Sequence, residues 1–331
     1  MPMGSKRGAQ ARDGLVAPLH KIDCKAMHTA LIAILAVLLD RLLGEPRRAH
    51  PLVGFGRLAC ATEARLNRTG FSPSTTRMRG VLAVSVLLVP IVMLSAFAVR
   101  VPVLASAMEV LLLYLALGGQ SLSQHARAVA QALDTGDLAL ARTRVGYMVS
   151  RDTGAMRPED AARATVESVL ENGNDAVFGT LFWFVVAGAP GAVLYRLANT
   201  LDAMWGYRSP RYVYFGWAAA RFDDVLNFVP ARLTALTYAI LGRYTRAWHC
   251  WRTQGNLWES PNAGPVMAAG AGALGVQLGG CAMYHGAMKQ RALLGEGAQP
   301  TSSDIARAVA LVNRGLWLWL GVIVMASIWL A

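Results

Sequence analysis

AVFGTLFWFVVAGAPGAVLYRLANTLD, residues 176–202, is the stretch on which the fold turns. It is apolar and long enough to cross a bilayer once, since about 20 such residues span the hydrocarbon core. Gly188, Ala189, Pro190 and Gly191 interrupt its middle. Proline removes a backbone donor and glycine admits conformations a helix excludes, so the run can fold back on itself. A straight span would put Asp175 and Asp202 on opposite membrane faces, whereas a hairpin would bring them together. The hairpin is the favoured reading, with the irregular backbone buried by protein.

Outward from this run, Ser150 to Arg232 concentrates polar chemistry as SRDTG, ESVLENGND, NTLDAMWGYRSP and ARFDDVLNFVPAR. Only 16% of the residues are charged, yet Asp152, Glu167, Glu171, Asp175, Asp202, Asp223 and Asp224 all fall here. Glu167, Glu171 and Asp175 recur every four positions and form one acidic stripe on a helix. Arg163, one turn before Glu167, offers an ion pair as the plainer explanation. Asn199 with Asp202, and Asp223 and Asp224 with Asn227, also sit at helical spacing. Oxygen-only clusters suit Mg²⁺, which makes Glu171, Asp175, Asp223 and Asp224 the candidate metal ligands. Helix capping beside the membrane is the alternative.

Arg151, Arg221 and Arg232 adjoin the acids, and guanidinium groups bind phosphate bidentately when they are not local ion-pair partners. Asn172 lies beside the stripe, and Asn262 sits in a polar turn, ESPNAG. His50 and His125 are of proton-carrying type, although a lone histidine is more often structural. These residues imply a site handling Mg²⁺-nucleotide or phosphate at one membrane face.

The remaining composition narrows the class. Hydrophobic residues make up 54% of 331, which places the chain among membrane proteins. The net charge of +12 is almost wholly arginine, with lysine only at positions 6, 21, 25 and 289. No GxxxxGK[ST] loop exists, which excludes a P-loop NTPase. No basic stripe is interleaved with aromatics, so nucleic acid is not an expected partner. Cys24, Cys60, Cys250 and Cys281 are too scattered for a zinc site and read as small apolar filler.

Taken in order, residues 1–27 read as a polar basic tail and residues 28–331 as one membrane-embedded helical domain. Within it, 118–175 is a more soluble helical insertion. HTALIAILAVLL is a retained membrane helix. The arginine-rich loop that follows should be cytoplasmic. Gly80–Val99 and Pro102–Gly118 should form a helical hairpin. Asp137 is placed to cap LALARTRVGYMV, and Pro158 to start a helix reaching Asn172. GAGALGVQLGG reads as a closely packed helix. Ser302 or Ser303 should cap an amphipathic helix ahead of the terminal span GLWLWLGVIVMASIWLA. The whole is all-α, a polytopic integral membrane protein with amphipathic helices and polar motif loops at one membrane face. Roughly four to six full crossings are expected by the ~20-residue criterion.

Several of these segments carry a resemblance. DRLLGEPRRAHP, SLSQHARAV, VSRDT, TVESVLEN followed by Asp175, NTLDAMWGYRS, ARFDDVLNFVPARL, SPNAG and GALGVQLGG resemble, in order, motifs of the CobD/CbiB family of cobalamin biosynthesis. These are the membrane-bound adenosylcobinamide-phosphate synthases. The resemblance implies an ATP- and Mg²⁺-dependent ligase. It would join a propionate carboxylate of adenosylcobyric acid to (R)-1-amino-2-propanol O-2-phosphate at the cytoplasmic face of the inner membrane, in association with other corrin-assembly membrane proteins. ATP would first convert the carboxylate to an acyl phosphate. The residues carried over are Asp152, Glu167, Glu171, Asp175 and Asp224 for catalysis. Arg151, Asn172, Asn199, Asp202, Arg221, Asn227, Arg232, Asn262 and His50 would bind substrate, with His50 or a carboxylate taking the amine proton.

The chain departs from the family's usual pattern at Gly173, Asn174, Thr180 and Met267. Those changes leave open a regulatory or scaffolding relative without turnover. A transporter ranks last, because the acids other than Glu109 lie at segment ends.

Overall fold

The computed structural model describes residues 13–46, 50–284 and 286–330. Twelve helices and one hairpin order the described chain. They are α1 Asp13–Leu43, α2 Pro51–Leu66, α3 Pro73–Ala98, α4 Ala105–Ala116, α5 Gly119–Asp134, α6 Leu138–Val145, α7 Pro158–Gly173, α8 Gly179–Trp205, α9 Trp217–Leu241, α10 Tyr244–Gln254, α11 Ala263–Leu274 and α12 Ser302–Trp329. Strands β1 Leu278–Tyr284 and β2 Ala287–Leu294 pair antiparallel between α11 and α12.

Five stretches are long and apolar enough to cross a membrane: residues 25–43, α3, residues 105–134, residues 158–205, and α12. The protein is an all-α polytopic membrane protein. Along α3, Leu82, Val86, Val89, Met93 and Phe97 are exposed, as a lipid-facing helix requires. The first helix begins upstream of the expected span. Residues from Asp13 are already helical. The rest of the expected tail, residues 1–12, lies outside the described residues, as do residues 47–49 of DRLLGEPRRAHP.

The decisive stretch is a hairpin. Ala187 and Gly188 leave helical geometry, with Gly188 at φ 68° and ψ −166°. The two arms then lie so close that a side chain on Gly179 would strike the Tyr195 hydroxyl. In a straight helix those residues would be about 24 Å apart, at 1.5 Å per residue. The exposed tip carries Val185 and Val186. Because Gly188 adopts a backbone conformation almost confined to glycine, Gly188→Val should cost about 1–3 kcal/mol. Thermal unfolding in detergent reads this, and an unchanged midpoint would remove the hairpin's strain argument.

The α8 hairpin also alters the expected pairing of the two preceding spans. Residues 99–104 do link α3 to α4. Both helices pack chiefly on α8 rather than on each other, because the hairpin lies between them.

Local signals account for most helix starts. Ser72 accepts from the Thr75 N–H ahead of Pro73, and Asp137 accepts from the Leu140 N–H at 2.9 Å. Pro158 opens α7, with Glu159 and Asp160 in its first turn. At the last helix the cap is Thr301 rather than Ser302 or Ser303. Its box partner is Asp304, and α12 then runs unbroken through Arg314 into the apolar span.

GAGALGVQLGG splits into two elements. Gly275, at φ 72°, ends α11, and VQLGG turns into β1. Cys281 and Cys60 are exposed, the former donating to Gln290 across the strands, while Cys250 is buried as filler.

Candidate functional site

The junction of α7, α8 and α9 holds a buried oxygen-rich pocket. Where α7 ends, one wide π-helical turn, Asn174–Phe178, carries Asp175 into the interior. Such turns re-aim side chains at the cost of regular hydrogen bonding. The returning arm of α8 brings Asn199 and Asp202, and α9 brings Asp223 and Asn227. Glu171 adjoins Asp175 and Asp202 one turn back along α7.

Asn227 organises the pocket. Its Oδ1 accepts from the Tyr195 hydroxyl at 2.9 Å and from Asn174 Nδ2 at 2.7 Å. Its Nδ2 therefore points the other way, donating to Asp175 Oδ1 at 3.1 Å and Asp223 Oδ2 at 3.3 Å. Asn199 Nδ2 reaches Asp223 Oδ1 at 3.4 Å, and Asn174 Nδ2 reaches Asp175 Oδ1 at 2.9 Å. Thr234 holds the other end of Asn174 at 2.9 Å. Among the described residues, Asp175 Oδ2 and both Asp202 oxygens accept no hydrogen bond. Burial, reinforced by Asp175 and Asp202, pushes the Asp223 carboxyl well above the usual carboxylate range. Asp224 is raised less directly: burial outweighs the nearby Arg221 and Arg208.

Three carboxylates crowded without a salt-bridged cation form a set that a hard cation would relieve. Among the described residues, no three acidic, histidine or cysteine side chains are arranged to ligate one ion alone. A cation here would need waters or substrate oxygens to complete its shell, as Mg²⁺ commonly does. The adjacent pair Asp223 and Asp224 divides. Asp223 faces the pocket, but Asp224 is about 100° further round the helix and pairs with Arg221 at 3.3 Å. Asp202 instead lies beside Asp175 and Asp223.

Several expected site residues stand elsewhere. Glu167 is buried between Arg151 and Arg291, at 2.5 Å and 2.8 Å, and accepts the Gly279 N–H at 2.7 Å. It staples the β-hairpin to α7. Asp152 accepts the Gly286 N–H at the hairpin's turn. Asn172 bonds back to Ser168 within its own helix. Arg232 clamps Asn262 Oδ1 and the Pro261 carbonyl, and Asn262 Nδ2 donates to the Asp224 carbonyl. Both residues thus dock the SPNAG turn on α9 and have their polar atoms engaged. Arg221 is exposed.

His50 lies at the rim with Glu45 and Arg196 as charged neighbours. Its Nδ1 accepts the Leu52 N–H at 3.2 Å. Burial lowers its pKa, so the neutral ring carries its proton on Nε2, which has no partner among the described residues. This tautomer presents an N–H donor on its free side.

Sequence reasoning missed Asn174, Tyr195 and Arg196. The Arg196 guanidinium approaches Gly118 beside Glu45 and Ala176, and its buried Nε lacks a partner among the described residues. Its spacing from Asn199 and Asp202 was the available signal. The departures at Gly173 and Asn174 also acquire reasons. A side chain on Gly173 would meet the Tyr238 hydroxyl at 2.5 Å, and Asn174 supplies two of the pocket's hydrogen bonds. Met267 is packed in the core. Thr180 is buried, with its hydroxyl unpartnered among the described residues.

The family model described as CobD/Cbib protein matches residues 33–312. The chain belongs to the CobD/Cbib family. A "Cobalamin biosynthesis protein CobD" from Chromobacterium violaceum is 61% identical over 305 residues, covering 91% of this chain and 98% of the relative. The protein of the same name from Stutzerimonas stutzeri is 57% identical, with 92% and 99% covered. That from Mycobacterium tuberculosis is 39% identical, with 85% and 90% covered. No solved structure matches the chain. The matched region of the CobD/Cbib family includes every residue of the acid pocket.

Proposed function

We propose that the protein acts in cobalamin biosynthesis as an adenosylcobinamide-phosphate synthase, forming an amide from adenosylcobyric acid and (R)-1-amino-2-propanol O-2-phosphate with ATP. The observation that carries this reading is the pocket of Asp175, Asp202 and Asp223, oriented by Asn199 and Asn227. It is supported by extensive identity to relatives named for this pathway.

A carboxylate is a poor acyl donor, so the reaction needs phosphoryl transfer before amine attack. Mg²⁺, when bound, would neutralise charge on the phosphoryl oxygens. Asp175 Oδ2 and Asp202 supply the free oxygens to hold it, while Asn227 and Asn199 fix Asp175 and Asp223 in place. Arg196, a charged neighbour of Asp175, and the His50 Nε2–H are the donors suited to phosphate or the corrinoid carboxylate. The amine proton goes to a pocket carboxylate, and Asp223, with its raised affinity for protons, is suited to take it. The site faces the cytoplasm at the inner membrane. The residues at Gly173 and Asn174 are compatible with this reading, since they fit the pocket's packing and hydrogen bonding.

Membranes containing the protein should join the two substrates only when ATP and Mg²⁺ are both present. Asp175→Asn should abolish product at unchanged protein level. Failure to restore cobinamide-phosphate formation in a strain lacking its own synthase, with the protein present and folded, would reject the reading.

A further inference from the structure

Away from the acid pocket, a cavity of about 260 Å³ opens where the end of α9, the start of α10, the end of α11 and the middle of α12 meet. Arg243, Arg307 and Arg314 line it together with Leu241, Leu274 and Leu311. Arg307 is committed, bonding Asp304 at 2.5 Å and the Leu274 carbonyl at 2.6 Å. Among the described residues, no carboxylate pairs with Arg243 or Arg314. Two exposed guanidinium groups thus flank a partly apolar cleft without a paired carboxylate among the described residues.

The cavity sits where α12 changes character. On its outward side, Trp317, Leu318 and Val322 are exposed and apolar, within a stretch long enough to cross the membrane. Ile240, beside the cleft-lining Leu241, is exposed on α9, and Tyr244 and Trp248, just after Arg243, are exposed and stack on α10. Exposed Tyr and Trp residues collect at the membrane–water boundary, and basic pockets between membrane helices bind lipid headgroups there. The size agrees: clefts for drug-sized ligands run roughly 300–1,000 Å³, so this one suits a headgroup better than a nucleotide.

We infer that Arg243 and Arg314 bind the phosphate of an anionic phospholipid, whose acyl chains lie along the exposed face of α12 below Arg314. This site shares no residue with the acid pocket and does not depend on the proposed synthase reaction.

The full-length protein, extracted in neutral detergent and exposed to equal amounts of phosphatidylglycerol and phosphatidylcholine, should retain the former through washing and release the latter. Arg243→Gln with Arg314→Gln should lower phosphatidylglycerol retention roughly ten-fold or more. Arg68→Gln with Arg144→Gln removes the same charge from exposed positions elsewhere and should leave retention unchanged. Equal retention of the two lipids by the unsubstituted protein overturns the inference without recourse to any variant. Equal loss from both variants overturns it too, by reducing the effect to net charge. Displacement of the lipid by millimolar inorganic phosphate would make the cavity a free-anion site and likewise reject the lipid.

Discussion

Asp223→Asn should cut turnover about 10²–10³-fold and at the same time stabilise the metal-free protein. Both of the Asp223 oxygens accept amide hydrogen bonds, from Asn199 and Asn227, which favour the charged form. Burial and the neighbouring Asp175 and Asp202 oppose it and prevail, holding the carboxyl well above its ordinary range. The folded state therefore binds this proton more tightly than the unfolded chain does. Stability from this group is greatest below the unfolded aspartate value of about 3.9 and falls as pH rises toward the folded value. An asparagine carries no such penalty. It would turn its NH₂ toward one donor, and the 3.4 Å bond from Asn199 is the one to be given up, at a cost of about 1 kcal/mol.

Without divalent cation, the variant and parent should unfold alike near pH 4, and the variant should melt a few degrees higher at pH 7–8. Mg²⁺ should raise the midpoints of parent and variant alike by mass action, because Asp175 and Asp202 remain to hold it. Turnover should fall by about 10²–10³, the usual loss when one preorganised charge-stabilising group is removed. Parental turnover together with a pH-independent difference in melting would sink the assignment of Asp223 to the pocket's chemistry.

Much of this arrangement was legible in residues 176–202. Gly188 and Pro190 announced the break, and the break implied that Asp175 and Asp202 meet. Helical spacing then identified Asn199, Asp223 and Asn227 as companions. The choice between Asp223 and Asp224 was not legible, because adjacent helical residues differ in direction only once the helix has been oriented by its packing. The stripe of Glu167, Glu171 and Asp175 also misled in part. The π-helical turn at Asn174 rotates Asp175 off the α-helical stripe, and Glu167 meets arginines more than a hundred residues apart in the chain. VQLGG became a strand because Arg291 and Glu167 hold it there, a contact between distant segments that small residues alone do not announce. Asn174, Tyr195 and Arg196 carry no motif of their own and acquire meaning only when α8 folds back.

Glu167→Ala should be the most destabilising single substitution at the site's periphery, at about 3–5 kcal/mol, as for breaking other buried ion pairs. The Glu167 side chain is 3% exposed, and those of Arg151 and Arg291 are 8% and 7%. Removing the carboxylate leaves two buried guanidinium groups and the Gly279 N–H without their shared acceptor. Stacking of Arg151 near Tyr284 and Arg291 near Trp258 persists but does not replace the countercharge. Glu167→Gln keeps an acceptor for Gly279 but turns an NH₂ toward an arginine, so it should recover only part of the loss. Replacing all three charged residues by methionine should recover more, since well-packed apolar side chains often match a buried ion network. Glu171→Gln provides the contrast, losing turnover while melting like the parent. If Glu167→Ala kept the parent's stability and lost only turnover, Glu167 would belong to the reaction and not to the staple that holds the hairpin on α7.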